Sequence, residues 1–213
     1  MATRIFWNEV PASQAVEGCV VFLHGRGTTG KDLMPLADEI AFPSLRWIFP
    51  DAPFPFLEDF DGRMWFASPP EQHGGIIKSR ILLSELLDHL IVENQIPSRK
   101  IVLMGFSQGA VMSLDVGIRF HLPLAGLIAM SGFLHSPETV PEEKSPASAE
   151  MPILLVHGMA DPVVKVDGSR QALSTLRKEG YTVNLQEYPM GHQVIPEEIV
   201  LIRKHLSQFL ERS

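Results

Sequence analysis

The sequence is poor in several things, and each shortage excludes a class of protein. It has one cysteine, Cys19, in 213 residues. No internal disulfide can form, so the fold makes no demand on an oxidising compartment. Cys19 sits in the apolar run CVVFL (19–23), where a thiol packs as a small hydrophobe. Basic residues number 18 against 25 acidic ones, a net charge of −7. No block of Lys and Arg stands out, so the electrostatic footprint of a nucleic-acid binder is missing. Long hydrophobic runs are absent too. LPLAGLIAM (122–130) is too short to cross a bilayer, and MATRIFWNEVPAS lacks the apolar centre of a secretory leader. The expectation is a cytoplasmic chain with no stable membrane anchor. No H-E-x-x-H or comparable ligand spacing occurs, so neither a metal nor a cofactor is expected.

What is present is an ordinary globular composition, 45% hydrophobic, at a length that suits one domain over 1–213. Short apolar runs alternate with helical patterns. Strands are predicted over 18–25, 45–53, 100–105, 124–132, 152–158 and 182–188. Helices are predicted over 32–42, 76–95, 107–121, 168–180 and 196–213, the first with Pro35 in its opening turn. In the second, Ile77, Ile81, Leu82, Leu86, Leu90 and Ile91 are spaced for one face. The strands are apolar throughout rather than half polar. That implies the α/β class, a mostly parallel central sheet with helices on both faces. Two stretches read as irregular: the Pro-, Gly- and aromatic-rich 50–75, and 135–150, which reads as a mobile surface loop.

In such a sheet the reactive groups collect at the carboxyl ends of strands. GFSQG (105–109) follows one strand and opens a helix at once. A G-x-S-x-G occurs by chance in about one chain in ten of this length, so the pentapeptide alone decides little. Its strand-to-helix setting is what a nucleophile elbow requires, and Gly105 and Gly109 leave room for the tight turn. A helix N-cap would account for Ser107 but not for both glycines. Asp161 follows the strand ILLV (153–156). It can orient a histidine, although an Asp-Pro turn also fits its position. His192 follows the last strand and Gly191. The chain order Ser107, Asp161, His192 is that of the α/β-hydrolases. His24 and His157 also stand at strand ends, where they are expected to brace the loops.

LHGRGTTG (23–30) ends the first of these strands. A tetrahedral intermediate needs main-chain N–H groups aimed at its oxyanion. Gln108 supplies one by position, and Arg26, among the glycines at 25, 27 and 30, supplies the second. A phosphate-binding loop is the competing reading, but G-x-x-x-x-G-K-[ST] fails at its last position, where Asp32 stands.

Together VVFLHGRGTTGKD, FPDAP, GRMWF, IPSRKIVLMGFSQGAVMSL, LAGLIAMSGFL, PILLVHGMADPVV and GH cover most of the chain in order. They resemble the phospholipase/carboxylesterase family, which includes acyl-protein thioesterases. The resemblance implies an α/β-hydrolase fold with little or no cap domain. It implies a Ser107–His192–Asp161 triad and an oxyanion hole of Arg26 and Gln108 amides. It also allows a homodimer. Two departures stand out. Arg26 occupies an apolar position of the family's HGLGD, and Ala67 replaces the aspartate of its WFD. The Arg26 guanidinium either favours an anionic substrate group or folds into a salt bridge.

The expected activity is a serine carboxylesterase acting on a small-molecule ester of short to medium acyl length. The same triad would serve an acyl-thioesterase or lysophospholipase. A catalytically silent fold that binds a ligand or partner is the alternative of another class. Phe54, Phe56, Met64, Trp65 and Phe66 either line an acyl groove or pack among themselves.

Overall fold

Side chains at alternate strand positions face opposite sides of a sheet, and in the inner strands here both sides are buried. The computed structural model describes residues 5–57 and 61–212. Its strands are β1 (Trp7–Val10), β2 (Gly18–Leu23), β3 (Leu45–Pro50), β4 (Phe54–Pro55), β5 (Arg63–Met64), β6 (Ile101–Phe106), β7 (Gly126–Met130), β8 (Ile153–Gly158) and β9 (Val183–Tyr188). Seven of them form one sheet in the order β1-β3-β2-β6-β7-β8-β9, and β4 and β5 pair as a separate hairpin. β1 runs antiparallel to β3, and every other neighbouring pair in the large sheet is parallel.

The helices are α1 (Gly30–Ile40), α2 (Gln72–Val92), α3 (Gln108–Gly117), α4 (Val140–Glu143), α5 (Asp167–Lys178) and α6 (Pro196–Glu211). Val21, Leu23, Leu103, Ala129 and Leu155 share a core with residues of α2, α3 and α5. Val20, Phe22, Val102, Met104, Ile128 and Leu154 share the opposite core with residues of α1 and α6. This is an α/β-hydrolase sheet, and the apolar strands are apolar because each has two cores to fill. Among the described residues, the β4–β5 hairpin follows β3, and no helix longer than the four-residue α4 lies between β7 and β8.

Four expectations need correction. β1 was not anticipated: Trp-Asn-Glu-Val is short and half polar, as an edge strand covered on one side is. Its Glu9 pairs with Arg46 of β3 at 2.9 Å. In α2 the buried stripe is Ile76, Ser79, Leu83, Leu86, Leu87 and Leu90, while Ile77 and Ile81 are exposed. The helix is apolar on more than one side, so periodicity alone left its phase open. α1 begins at Gly30, so Pro35 falls in the second turn rather than the first.

The fourth correction concerns 135–150, which is anchored rather than loose. Arg119 reaches across to it, donating to Glu143 at 2.7 Å and to Thr139 at 2.9 Å. Ser148 is buried and shares a 2.7 Å hydrogen bond with Tyr181. The anchor begins at Asp115 of α3, which is fully buried. It accepts from Arg80 of α2 at 2.6 and 3.0 Å and from Arg119 at 3.0 Å. One carboxylate thus ties α2, α3 and the 135–150 segment together.

α6 opens on a carboxyl that water does not reach. Glu198 is fully buried, and its Oε2 accepts the Ile195 main-chain N–H at 3.0 Å. Its Oε1 has no hydrogen-bond partner among the described residues. Burial of the charged form pushes its pKa up to about 7, with the Ile195 N–H pulling the other way. The folded state therefore holds this proton more tightly than the unfolded chain. The stability so gained is complete below the ordinary carboxylate range and is lost as pH rises through about 7.

Asp115→Ala is expected to cost about 3–5 kcal/mol, because it removes the buried carboxylate shared by Arg80 and Arg119 and leaves Arg80 without its acceptor. Urea denaturation measures this, and a loss under about 1 kcal/mol would mean that the arginines are satisfied by solvent. Glu198→Gln keeps an acceptor for Ile195 and removes the titration. From about pH 5 to about pH 9 the unmodified protein should lose up to about 3 kcal/mol relative to this variant. Parallel stability curves would show that Glu198 titrates no differently when folded.

Candidate active site

β6 ends at Phe106, and the chain must turn at once into α3. Ser107 makes the turn with φ 56° and ψ −119°, in a region that side chains other than glycine rarely enter. The turn is held by its surroundings. Ser107 N–H donates to the Met130 carbonyl at 2.9 Å, and the Ser107 carbonyl accepts from Ala110 at 3.0 Å. A Cβ on Gly105 would overlap the Gly109 carbonyl, and one on Gly109 would overlap that of Leu23. The glycines are therefore required by the close approach of β6, α3 and the end of β2. Side-chain overlap, not φ, is what they avoid.

β8 and β9 deliver the other two groups. His192 Nε2 lies 3.0 Å from Ser107 Oγ, and His192 Nδ1 lies 2.7 Å from Asp161 Oδ2. A carboxylate only accepts, so Nδ1 carries the proton and Nε2 offers its lone pair to the serine hydroxyl. The second carboxylate oxygen accepts the Val163 and Val164 N–H groups at 2.8 and 2.9 Å. Burial raises the Asp161 pKa, but the bonds from His192, Val164 and Val163 outweigh it and hold the carboxyl below its ordinary range. Asp161 is thus ionised at neutral pH and aims one oxygen at the imidazole. His157 lies behind this loop, donating from Nε2 to the Val164 carbonyl at 2.8 Å and meeting Ser169 Oγ at 2.6 Å through Nδ1. The Phe106 ring packs on His192 with centroids 4.8 Å apart.

The end of β2 forms the facing wall. A Cβ on Gly25 would lie 3.4 Å from Ser107 Cβ, so this backbone runs beside the serine. His24 is buried; its Nδ1–H donates to the Gly25 carbonyl at 2.6 Å, and its Nε2 accepts the Ala52 N–H at 3.0 Å. Burial lowers its pKa, which keeps it neutral in this bracing role. Gly27, at φ 81°, donates to the Arg63 carbonyl at 2.8 Å, so the hairpin clasps the loop from outside. Among the described residues, no protein acceptor takes the Arg26 or Gln108 main-chain N–H. Both stand beside the serine, one in the loop next to Gly25 and the other next to Ser107 itself.

The sequence-predicted groups therefore divide. Ser107, Asp161 and His192 meet, with Arg26 and Gln108 flanking them. Phe54 and Met64 are half-buried cross-strand partners in the hairpin, and Phe56 packs over Gly27. Trp65 and Phe66 are placed in the core instead, with 0% and 4% of their surface exposed. Trp65 is a strut: Nε1–H donates to the His24 carbonyl at 2.9 Å and its main-chain N–H to Gln108 Oε1 at 3.0 Å. The Gln108 Nε2 donates to the Phe66 carbonyl at 2.9 Å. The Gln108 side chain thereby locks the residue whose amide faces the site. Neither that lock nor the Phe106 contact was anticipated, because both join residues distant in sequence through ordinary side chains. A groove of about 850 Å³ lined by Gly18, Lys100 and Leu210 lies at the opposite, amino edge of the sheet and touches none of these groups.

A profile of the phospholipase/carboxylesterase family matches residues 9–210. An acyl-protein thioesterase 1 of Neurospora crassa is 31% identical over 95% of this chain and 91% of its own length. A probable carboxylesterase of Oryza sativa subsp. japonica is 28% identical over 96% of this chain and 84% of its own. Among solved structures, the esterase PE8 superposes with a TM-score of 0.88 at 31% identity, covering 97% of this chain and 99% of that one.

Proposed function

The chain belongs to the phospholipase/carboxylesterase family of the α/β-hydrolases, and from that premise we propose that it is a serine carboxylesterase working through an acyl-serine intermediate. The observation that carries this reading is the continuous relay Ser107–His192–Asp161, with contacts of 3.0 and 2.7 Å. His192 takes the hydroxyl proton as Ser107 Oγ attacks the acyl carbonyl. The carbonyl oxygen gains negative charge and is met by the Arg26 and Gln108 amides, which need no rearrangement to receive it. His192 then gives its proton to the leaving alcohol, and the acyl-serine forms. Water, deprotonated by the same imidazole, releases the acid. Asp161 stabilises the imidazolium twice in each cycle without taking its proton.

The half-buried Phe54, Phe56 and Met64 suit an open groove for short to medium acyl chains. A thioester is the second reading, favoured by the acyl-protein thioesterases among the relatives. Both substrates pass through one acyl-serine, so the relay itself does not choose between them.

A 4-nitrophenyl ester series from acetate to palmitate tests the proposal, with matched acyl thioesters beside it. Ser107→Ala is expected to lower kcat/KM by at least about 10³-fold. Equal turnover by the two proteins would remove Ser107 as nucleophile, and equal inactivity on both series would favour a silent, ligand-binding fold. Asp161→Asn should lower kcat about 10³–10⁴-fold with little change in KM, because its amide can favour the wrong histidine tautomer. A tenfold loss or less would mean that another group orients the ring.

A further inference from the structure

Two departures from the family pattern prove to be neighbours. Arg26 stands where HGLGD has an apolar residue, and Ala67 stands where WFD has an acid. The Arg26 guanidinium donates through Nη1 to Ser68 Oγ, the residue after Ala67, at 3.0 Å. It also lies over the Phe56 ring, 5.1 Å from the centroid. Residue 68 is two positions beyond Phe66, whose carbonyl is held by Gln108 next to the nucleophile. Arg26 and the 66–68 segment thus meet at one point on the rim of the site.

Among the described residues, the salt bridge that the sequence left open is not made: no carboxylate there pairs with Arg26, and its side chain is exposed. Two acids of the same region are otherwise engaged. Asp32 accepts from the main-chain N–H and hydroxyl of Thr29 at 2.7 and 2.9 Å, and Asp51 accepts the Gly30 N–H at 2.8 Å. What remains of Arg26 is its Nε–Nη2 edge. Elsewhere in this chain that edge grips carboxylates: Arg46 uses it on Glu9, Arg80 on Asp115 and Arg170 on Glu187. Two parallel N–H groups match a carboxylate or phosphate fork, and a guanidinium stacked on an aromatic ring and tied at Nη1 is already oriented for it.

We infer that the Arg26 side chain is an anion subsite, and that the preferred esters carry a carboxylate or phosphate group within reach of the scissile carbonyl. The inference rests on the serine-esterase reading, since it places the oxyanion at the amide of the same residue. Main-chain and side-chain donors of Arg26 then divide the substrate between them, the amide on the reacting oxygen and the guanidinium on a fixed charge. In a chain of net charge −7, such a local cation favours an anionic ester at the site.

Two matched pairs of esters test this and separate the two sides of the substrate. Mono-4-nitrophenyl glutarate against 4-nitrophenyl valerate places the charge on the acyl side. 3-Carboxyphenyl butyrate against phenyl butyrate places it on the alcohol side. The quantity read is the ratio of kcat/KM for charged over neutral ester, in which any general disturbance of the oxyanion amide cancels. Arg26→Met is expected to lower the ratio about fivefold in one of the pairs, the scale of a partly exposed ion pair. Ala67→Asp, which leaves residue 26 untouched, should lower the same ratio by engaging the guanidinium internally. Raising the salt concentration should do so as well. A ratio unmoved by both variants in both pairs would overturn the subsite while leaving the esterase standing. Failure of the unmodified protein to cleave even the neutral esters would remove both.

Discussion

The turn at Ser107 is the constraint on which the rest of the site depends. A non-glycine residue at positive φ is costly, and here it is kept there by contacts on every side: β7 through the Met130 carbonyl, α3 through Ala110, and the end of β2 pressed against Gly109. The strain has a return. It lifts the serine clear of both strand and helix, so that its hydroxyl faces His192 and its neighbour's N–H stands at the open edge.

Around that turn the supporting parts are polar groups in dry places, and each is satisfied by a specific partner. Asp161 keeps its charge because two main-chain N–H groups and an imidazole face it. His24 stays neutral because burial disfavours its charged form while its two nitrogens have one acceptor and one donor. Gln108 uses its amide side chain to bind Trp65 and Phe66, which stops the loop beyond β5 from sliding over the elbow. These are short-range devices in a low dielectric, where a fully paired group rigidifies and an unpaired one destabilises. Two buried oxygens are exceptions among the described residues, Ser131 Oγ and one oxygen of Glu198, whose pKa burial raises.

The substrate-facing rim is less determined by the fold than the catalytic centre. The hairpin touches the loop after β2 through Arg63 and Phe56, and its side chains are half-exposed. Side chains there can differ without disturbing the sheet. Specificity in such a molecule is written on the carboxyl-edge loops, and the chemistry is written at the strand ends beneath them.

The meeting of Ser107, Asp161 and His192 was legible in the sequence because its requirements are local. Glycines on both sides of Ser107, a strand before it and a helix after it are steric conditions met within five residues, and the order of Asp161 and His192 follows from successive parallel strands. The fold class was legible for a similar reason, since a strand buried on both faces must be apolar at every position. Other features could not be read there. Trp65 and Phe66 are aromatic on a long loop, and only packing decides that they brace Gln108 rather than face a substrate. The phase of α2 required knowing which side met the sheet, because Ile77 and Ile81 are as apolar as the residues beside them. The edge strand β1 needed β3 as its partner, and the Asp115 anchor needed Arg80 and Arg119 to arrive from elsewhere in the fold. Local sterics and periodicity are carried by neighbours along the chain. Burial, pairing and the fate of a lone guanidinium are properties of what folding brings next to them.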